Sequence, residues 1–541
     1  TVDAGVTIAG FDKANASNYT QYGYNYTVTG LPVDTSTAGT KQVTYTLTST
    51  KDGTTTNGMS VTRDVKVVDI PKLIGFEETK YVSETENVQY VFGSKRAGKT
   101  QYTSDLIKTI TFVNNQNIPA NAVDSWDASY VSGDNEVLAW LITNSEDSTK
   151  YDLYLGIEDE IVQAPENSQY LFGYYNNCTA INNLTLLKTL NTTSMQGMFL
   201  NCSNLVELDV SNFDTSNVST MKDMFASCKA LASLNLSKFV TIKVTDMKDM
   251  FQSCNKLTSL ELVNFDTSNV TDMAYMFDNC NQLAELDIGN FDTSNVTNMN
   301  GMFSNCSNLT KLDLTNFNTS KVTTMWYMFN NCVKLTTLDV SSFNTSNVTG
   351  MRSMFCNDRG LIELDVNNFN TSKVTTMYNM FSGCSKLTSL NLENFDTVNV
   401  TDASYMFAYC YKIKSVNLGG FNTSNLTSMN GIFIDCSELK AIILNNKITS
   451  SDQAMKLLNN SNNITGLSNL PDAILYVPDF ESEKLYEQAE NYSTTFADSR
   501  DESGDLYRIR PILELVGDNP VKAKINSTYD ETVDAGVTIA G

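Results

Sequence analysis

The chain has 541 residues, a formal net charge of −24 and no histidine. A strongly anionic surface repels phosphate backbones, so we expect no nucleic-acid partner. Histidine is the commonest general base and transition-metal ligand. Because the chain contains none, Ser-His-Asp catalysis and histidine-ligated zinc sites are excluded. No run of about 18 apolar residues is available to span a bilayer. We expect the protein not to be an enzyme.

The first segment, residues 1–70, is predicted to be a small antiparallel sandwich that lacks its first strand. Residues 24–30, 41–49 and 59–69 alternate apolar and polar side chains, as half-buried strands do. Asp52-Gly53, between the last two stretches, is typical of a hairpin turn.

The decapeptide TVDAGVTIAG occurs twice, at residues 1–10 and again at residues 532–541. We interpret the chain as one period of a larger tandem array. Residues 516–541 are then a linker and the first strands of the next sandwich, so that 519–541 would pair with residues 1–70 of the neighbouring unit. Whether neighbours belong to one polypeptide or to separate chains stays open at this point.

Two segments are predicted to cap the central repeats. Residues 71–194 form the N-terminal cap and entry, and residues 447–515 form the C-terminal cap. The reason is that an open end of a repeat stack exposes apolar surface and unpaired strand edges.

Residues 195–446 repeat a motif close to Met-x-x-Met-Phe-x-x-Cys ten times, always 26 residues apart. A fixed short period is typical of a solenoid, in which each unit packs only on its neighbours. The Leu-x-x-Leu-Asp-Val half of each unit predicts a short parallel strand. The other half places Met273, Met276, Phe277 and Cys280 on one helical face, which makes them core residues. The predicted fold is therefore an α/β solenoid of parallel strands and short helices, beside a small all-β sandwich. The ten units are numbered by their first residue, in the order Met195, Met221, Met247, Met273, Met299, Met325, Met351, Met377, Ala403 and Met429.

Nine of the eleven cysteines follow the same period. Equivalent side chains in stacked units lie roughly 5 Å apart, whereas the β-carbons of a disulfide approach to about 4 Å. We therefore predict a column of buried thiols rather than disulfides. In the seventh unit Asp358 takes the cysteine position and Cys356 comes two residues early, which predicts a local irregularity.

This unit, and above all its Phe-x-x-Cys-x-x-Leu join at residues 277–283, resembles the BspA-like branch of leucine-rich repeats. The resemblance covers about residues 164–446. The stretch VDTSTAGTKQVTYTLT at residues 33–48 resembles a bacterial immunoglobulin-like domain of surface proteins. The resemblance implies an extracellular or bacterial cell-surface protein that serves in adhesion or as a stalk. BspA-like proteins as a group have no catalytic residues that could be assigned to this chain.

An acidic column is the candidate metal site. Stacked in parallel, these carboxylates would repel one another, so that some of their pKa values rise or cations collect. Calcium bound by carboxylate oxygens is the functional hypothesis, and a solvated acidic face that needs no cofactor is the alternative. The column consists of Asp209, Glu261, Asp287, Asp313, Asp339 and Asp365.

Aromatic residues in the Met-x-x-Met gaps are the candidate partner surface. An exposed aromatic strip can bind a glycan or another protein, and scattered surface aromatics without a ligand are the alternative. The strip consists of Tyr275, Trp326, Tyr327, Tyr378 and Tyr405.

Two functions remain as hypotheses. The first is an extracellular structural and adhesive array that forms a stalk or filament, its units joined by a strand that completes the neighbouring sandwich. The second is a ligand-specific adhesin that binds a host protein or a glycan through the repeat surface.

Overall fold

The structure is a computed structural model. The predicted array contacts at 1–10 and 516–541 lie outside the residues that it describes. These are 24–29, 39–49, 56–67, 71–75, 88–158, 161–419, 421–422, 425–444, 474–477, 482, 485 and 509–511.

The described part of residues 1–70 is one antiparallel sheet, in which β2 lies between β1 and β3. A bulge between Thr46 and Thr48 interrupts the pairing of β2 with β3. An immunoglobulin-like sandwich needs two facing sheets, and the described residues form a single sheet here, so the predicted sandwich is wrong. The three strands are β1 Tyr24–Thr29, β2 Gly39–Ser49 and β3 Thr56–Val67.

The segment before the repeats contains a mixed five-stranded sheet with the order β5-β6-β7-β4-β9, beside a short parallel pair of β8 and β10. Single-turn 3-10 helices at Ser104–Leu106 and Leu184–Leu186 precede β4 and β10. A parallel bridge from Ala180 to Glu207 joins this sheet to the first repeat unit. The strands are β4 Ile107–Val113, β5 Asp124–Asp127, β6 Val137–Thr143, β7 Tyr151–Ile157, β8 Val162–Gln163, β9 Ala180–Asn182 and β10 Leu187–Lys188.

The predicted helices of the repeat units are absent. Across the described residues 161–419 and 425–444 there is no α-helix, and most of each unit consists of turns and extended segments. The predicted strand half is also reduced. Between the third and fourth units it keeps one parallel bridge, from Glu261 to Asp287, and three-residue strands occur only in later units. The prediction of a solenoid of parallel strands and helices is therefore wrong.

The reason lies in where the backbone N–H groups point. In the fourth unit Tyr275, Phe277 and Asn279 donate to carbonyl groups of the following unit at 2.7–3.0 Å, while Met276 and Cys280 close local turns. Tyr275 and Asn279 adopt φ values of 54° and 60°, outside the helical region. Because alternate N–H groups leave the unit, the i to i−4 bonding of a helix cannot form.

Successive units stack in register. A ladder of single parallel bridges begins at Asn167 and Ser194, continues through every unit at 26-residue steps, and ends at Ser428. This ladder runs through the half of each unit that was predicted to begin the helix. Thr271 in this half donates both its N–H and its hydroxyl to the Thr245 carbonyl, at 2.9 and 3.1 Å. Its role is to join two units.

A column of phenylalanine rings fills the centre of the stack. From Phe172 to Phe433, rings of successive units lie 5.1–5.9 Å apart between centroids and within 9° of parallel. Met273, Met276 and Phe277 have no exposed surface. One hydrophobic cluster runs from Leu73 through all ten units, so a unit buries its apolar side chains only between two neighbours.

Buried threonines hold the units together on the other side of the core. The Thr293 hydroxyl donates to the Asn318 carbonyl at 3.1 Å and accepts the Asn318 N–H at 2.8 Å. It thereby satisfies two backbone groups of the next unit. Equivalent buried threonines recur at 26-residue intervals, at Thr215, Thr241, Thr267, Thr293, Thr319, Thr345, Thr371 and Thr397.

The last described strands form a parallel sheet in sequence order, β11 to β15. It continues the direction of the stack, because β12 pairs with β11 and β13 at equivalent positions of adjacent units. The domain boundaries at residues 71, 195 and 447 stay predictions. The strands are β11 Ser389–Asn391, β12 Ser415–Asn417, β13 Ala441–Ile443, β14 Ile474–Val477 and β15 Ile509–Pro511.

We predict that Phe277→Ala lowers the free energy of unfolding by about 3–5 kcal/mol, because it opens a cavity inside the ring column. Val263→Ala is the control, since that side chain is 69% exposed and its loss should cost less than about 0.5 kcal/mol. Equal effects of the two substitutions in urea unfolding would contradict the account of the core.

A second prediction concerns the threonine column. Thr293→Val keeps the shape of the side chain but leaves the Asn318 N–H and carbonyl unpaired, at a cost of about 1–3 kcal/mol. The control is Thr297→Val, because Thr297 is exposed and the Thr271 carbonyl, which its hydroxyl contacts at 3.2 Å, keeps the bond from the Thr297 N–H. Thermal unfolding should separate the two variants clearly, and indistinguishable midpoints would count against the inter-unit role.

Candidate binding surface

The five aromatic residues of the predicted strip lie on one face of the stack. Each sits between two methionine positions that point into the core, so its own side chain is directed outward. Trp326 is 40% exposed and Tyr405 is 36% exposed. Tyr275, Tyr327 and Tyr378 are half-buried. The strip is therefore a surface, but only two of its members are widely open to solvent.

Arg352 completes this surface and was missed by sequence reasoning. Its Cζ lies 5.9 Å from the ring centroid of Tyr327 in the preceding unit and 4.6 Å from that of Tyr378 in the following unit. Tyr378 in turn makes an edge contact with Tyr405, with the centroids 6.0 Å apart. The signal was available, because Arg352 occupies the same repeat position as Trp326 and Tyr378. The residues Trp326, Tyr327, Arg352, Tyr378 and Tyr405 are called the arginine–aromatic surface below.

Glycines on the neighbouring turn of the stack leave room for two of the aromatic rings. A Cβ atom at Gly350 would overlap the indole Nε1 of Trp326. A Cβ atom at Gly431 would fall 2.8 Å from the Tyr405 ring. Any larger residue at these positions would force the rings away from the backbone, so the glycines permit the observed direction of the aromatic side chains.

The earlier units carry acidic groups at the equivalent positions. Asp223 and Asp249 occupy the repeat position of Tyr275, and Asp246 lies nearby. Burial, and then the charge of Asp223, raise the pKa of Asp249 to about 6. Burial likewise raises the pKa values of Asp223 and Asp246. Lys248 pairs with Asp249 at 3.6 Å. The face therefore carries Lys-Asp pairs in the second and third units, and aromatic side chains in the fourth, sixth, eighth and ninth units.

The predicted cation column is exposed and locally bonded. Oδ1 of Asp313 and of Asp339 accepts the N–H two residues further along, at 3.0 and 2.9 Å. Asp209, Asp287 and Asp365 form the same turn. Glu261 is exposed like the five aspartates. Local turn chemistry therefore accounts for the aspartates of this column.

In Asp209, Asp313 and Asp339 the pKa is lowered, which is opposite to the expected rise. Hydrogen bonds from the Ser211 side chain and backbone hold the pKa of Asp209 below its usual value. Thr315 does the same for Asp313, and Ser341 for Asp339. These bonds outweigh the repulsion between stacked carboxylates, which water screens well. In the described part of the chain, no three His, Cys, Asp or Glu side chains are grouped so as to hold a metal ion.

All eleven cysteines are free and buried, in agreement with the predicted column of thiols. In nine of them the thiol donates to a phenylalanine carbonyl of the preceding unit, at 3.0–3.2 Å, as Cys280 does to Phe251. Burial raises the pKa of Cys280 well above its ordinary value. Because the thiolate is the reactive form, these side chains are packing groups and not nucleophiles.

Asp358 replaces a thiol in this column and is buried. Its Oδ1 accepts the Cys332 N–H at 2.7 Å, while its Oδ2 finds no hydrogen-bond partner among the described residues. Burial raises the pKa of this carboxyl well above its ordinary value. The displaced Cys356 lies near the surface with 7% exposure. The predicted irregularity of the seventh unit is therefore a buried carboxyl group in the core.

We predict that Asp358→Cys, which restores the column, stabilises the protein at pH 7 by about 1–3 kcal/mol. The folded-state pKa of Asp358 lies above its unfolded value, so the carboxyl costs stability only above the unfolded pKa of about 4. The advantage of the variant should shrink as the pH falls towards 4. Asp339→Asn, at an exposed aspartate, is the control. A gain that stays constant from pH 7 to pH 4 would contradict the assignment.

No helix in the described part of the chain has the length and hydrophobicity needed to cross a bilayer. The chain has no significant match among curated proteins or among solved structures. The family described as "Mycoplasma protein of unknown function, DUF285" matches residues 168–284, 254–361 and 356–466. These ranges overlap and cover residues 168–466, more than half of the chain and all ten repeat units. The protein belongs to the DUF285 family.

Proposed function

We propose that the protein is an extracellular structural and adhesive repeat protein of a bacterial cell surface, whose stack of units acts as a stalk that displays a binding face. The observation that carries this proposal is the unbroken core from the first unit to the tenth, in which every unit contacts the next through backbone bonds and stacked rings. Such a stack resists bending better than a chain of separate domains, because no linker interrupts it.

The dimensions suit this role. At about 5 Å for each step, ten units extend on the order of 50 Å. Each step adds the same outward positions, so the surface grows in proportion to the number of units. The arrangement needs no cofactor and no catalytic group, and we propose that the protein is not an enzyme.

Sequence features outside the described residues support a tandem arrangement. The identical decapeptides at 1–10 and 532–541 fit units that follow one another. We propose that residues 519–541 contact residues 1–70 of the neighbouring unit. The likeness of the Phe-x-x-Cys-x-x-Leu join to BspA-like repeats supports a surface location.

A ligand-specific adhesin is the second candidate. The observation that favours it is the arginine–aromatic surface, because aromatic and arginine side chains are enriched where proteins bind partners. In this case the stack is chiefly a scaffold that holds one binding face.

Electron microscopy of native surface material labelled with an antibody against the repeats tests the proposal. We expect the label to recur at a constant axial spacing along elongated structures outside the cell. The control is the same preparation labelled with an antibody blocked by the pure protein. Label restricted to the cell interior, or to isolated compact particles, would overturn the proposal.

A further inference from the structure

We propose that the arginine–aromatic surface binds an acidic carbohydrate, with the sugar carboxylate on Arg352 and the apolar faces of the sugar rings on Trp326 and Tyr378. This inference rests on the adhesive part of the proposed function and names the chemistry of its ligand.

The first support is the state of Arg352. Its side chain is exposed, and none of the ion pairs among the described residues includes it. Tyr327 and Tyr378 hold the guanidinium between adjacent units. A guanidinium held in this way keeps N–H donors in a planar fork that matches a carboxylate. In a chain of net charge −24, a cation without a carboxylate partner is suited to an anion from outside.

The second support is the placement of the Trp326 ring. Gly350 gives the indole room to lie along the backbone of the neighbouring turn, and the indole remains 40% exposed. The Asn300 side chain accepts the Trp326 N–H at 2.8 Å, which holds the backbone of this residue in place. A flat apolar ring that is already ordered loses little conformational entropy when a rigid ligand stacks on it.

The surroundings favour a carbohydrate over an acidic peptide. Peptides commonly bind by adding a strand to an unpaired sheet edge. On this face the backbone is already paired, because the Tyr327 N–H bonds to the Arg352 carbonyl at 2.9 Å and the Met351 N–H to the Thr376 carbonyl at 3.3 Å. The contacts left open are side-chain rings and one cation, which suits stacked sugars that carry a carboxylate.

The neighbours of each cation distinguish the later units from the earlier ones. Lys222 and Lys248 occupy the repeat position of Arg352 in the second and third units, where Asp223 and Asp249 stand beside them, and Lys248 is already paired with Asp249 at 3.6 Å. In the seventh unit Arg352 instead lies between two tyrosine rings, so an acidic oligosaccharide is expected there and on the aromatic residues of the adjacent sixth and eighth units.

The test measures binding of the full chain to oligogalacturonate and to a sialylated oligosaccharide, each beside its neutral methyl-ester form, by isothermal titration calorimetry. We expect at least one acidic ligand to bind, and its methyl ester to bind on the order of tenfold more weakly. Arg352→Gln should reduce the affinity for the acidic form to that of the ester. Arg359→Gln is the matched control, since it removes the same charge from an exposed arginine of the same unit.

The aromatic part of the proposal has its own control. Trp326→Ala should weaken both the acidic and the neutral forms, because it removes a stacking surface. Tyr411→Ala removes an aromatic side chain that is 45% exposed outside this surface and should leave binding unchanged. Equal thermal midpoints of the wild type and each variant show that the fold is retained.

Several results would overturn the inference. These are no binding of either acidic ligand, equal binding of acid and ester, equal losses in Arg352→Gln and Arg359→Gln, or binding of a poly-glutamate peptide in place of the sugars. In each case the stalk proposal stands if electron microscopy shows the axial repeat. Conversely, if the protein binds an acidic sugar but microscopy shows no extended surface structures, the stalk proposal is overturned and the ligand proposal stands.

Discussion

The structure depends on one constraint, which is that each unit satisfies its backbone and its apolar side chains only through the units on either side. Alternate N–H groups in the Met-x-x-Met-Phe segment bond to the next unit, and the phenylalanine rings stack at 5.1–5.9 Å. A lone unit would leave both sets of groups exposed to water. It would then have too little buried apolar surface and too few hydrogen bonds to compensate the conformational entropy lost when 26 residues become ordered. Stability is therefore a property of neighbouring units together.

The same constraint frees the outward positions. In each Met-x-x-Met segment the two methionine positions are buried in the core. The two residues between them can therefore vary from unit to unit without disturbing the core. Lys-Asp pairs occupy these positions in the second and third units, and aromatic residues with Arg352 occur there from the sixth to the ninth. A single face of the stack can thus carry different chemistry along its length, which is what an adhesive surface requires.

Sequence reasoning found the period and the core positions, but not the secondary structure. Met273, Met276, Phe277 and Cys280 lie inside the protein at the spacing that the sequence displays. That spacing matches one face of a helix. Consecutive turns whose N–H groups bond to the next unit place the same residues in the core equally well. The spacing within one unit does not reveal such bonds between units, so the sequence pattern could not distinguish the two structures. Asp313 was misread in a similar way, because a stacked column suggested repulsion while the bond from Thr315 decided its pKa. Arg352 was overlooked because only aromatic residues were compared across units.

Native-state hydrogen exchange of the full chain tests the central claim most directly, since it reports the protection of individual amides. The stack predicts slow exchange for inter-unit donors such as the N–H groups of Phe225, Phe277 and Phe355, with similar opening free energies because the units open together. Exchange of these amides at the rate of unprotected backbone, or protection that follows an i to i−4 helical pattern within each unit, would contradict the account.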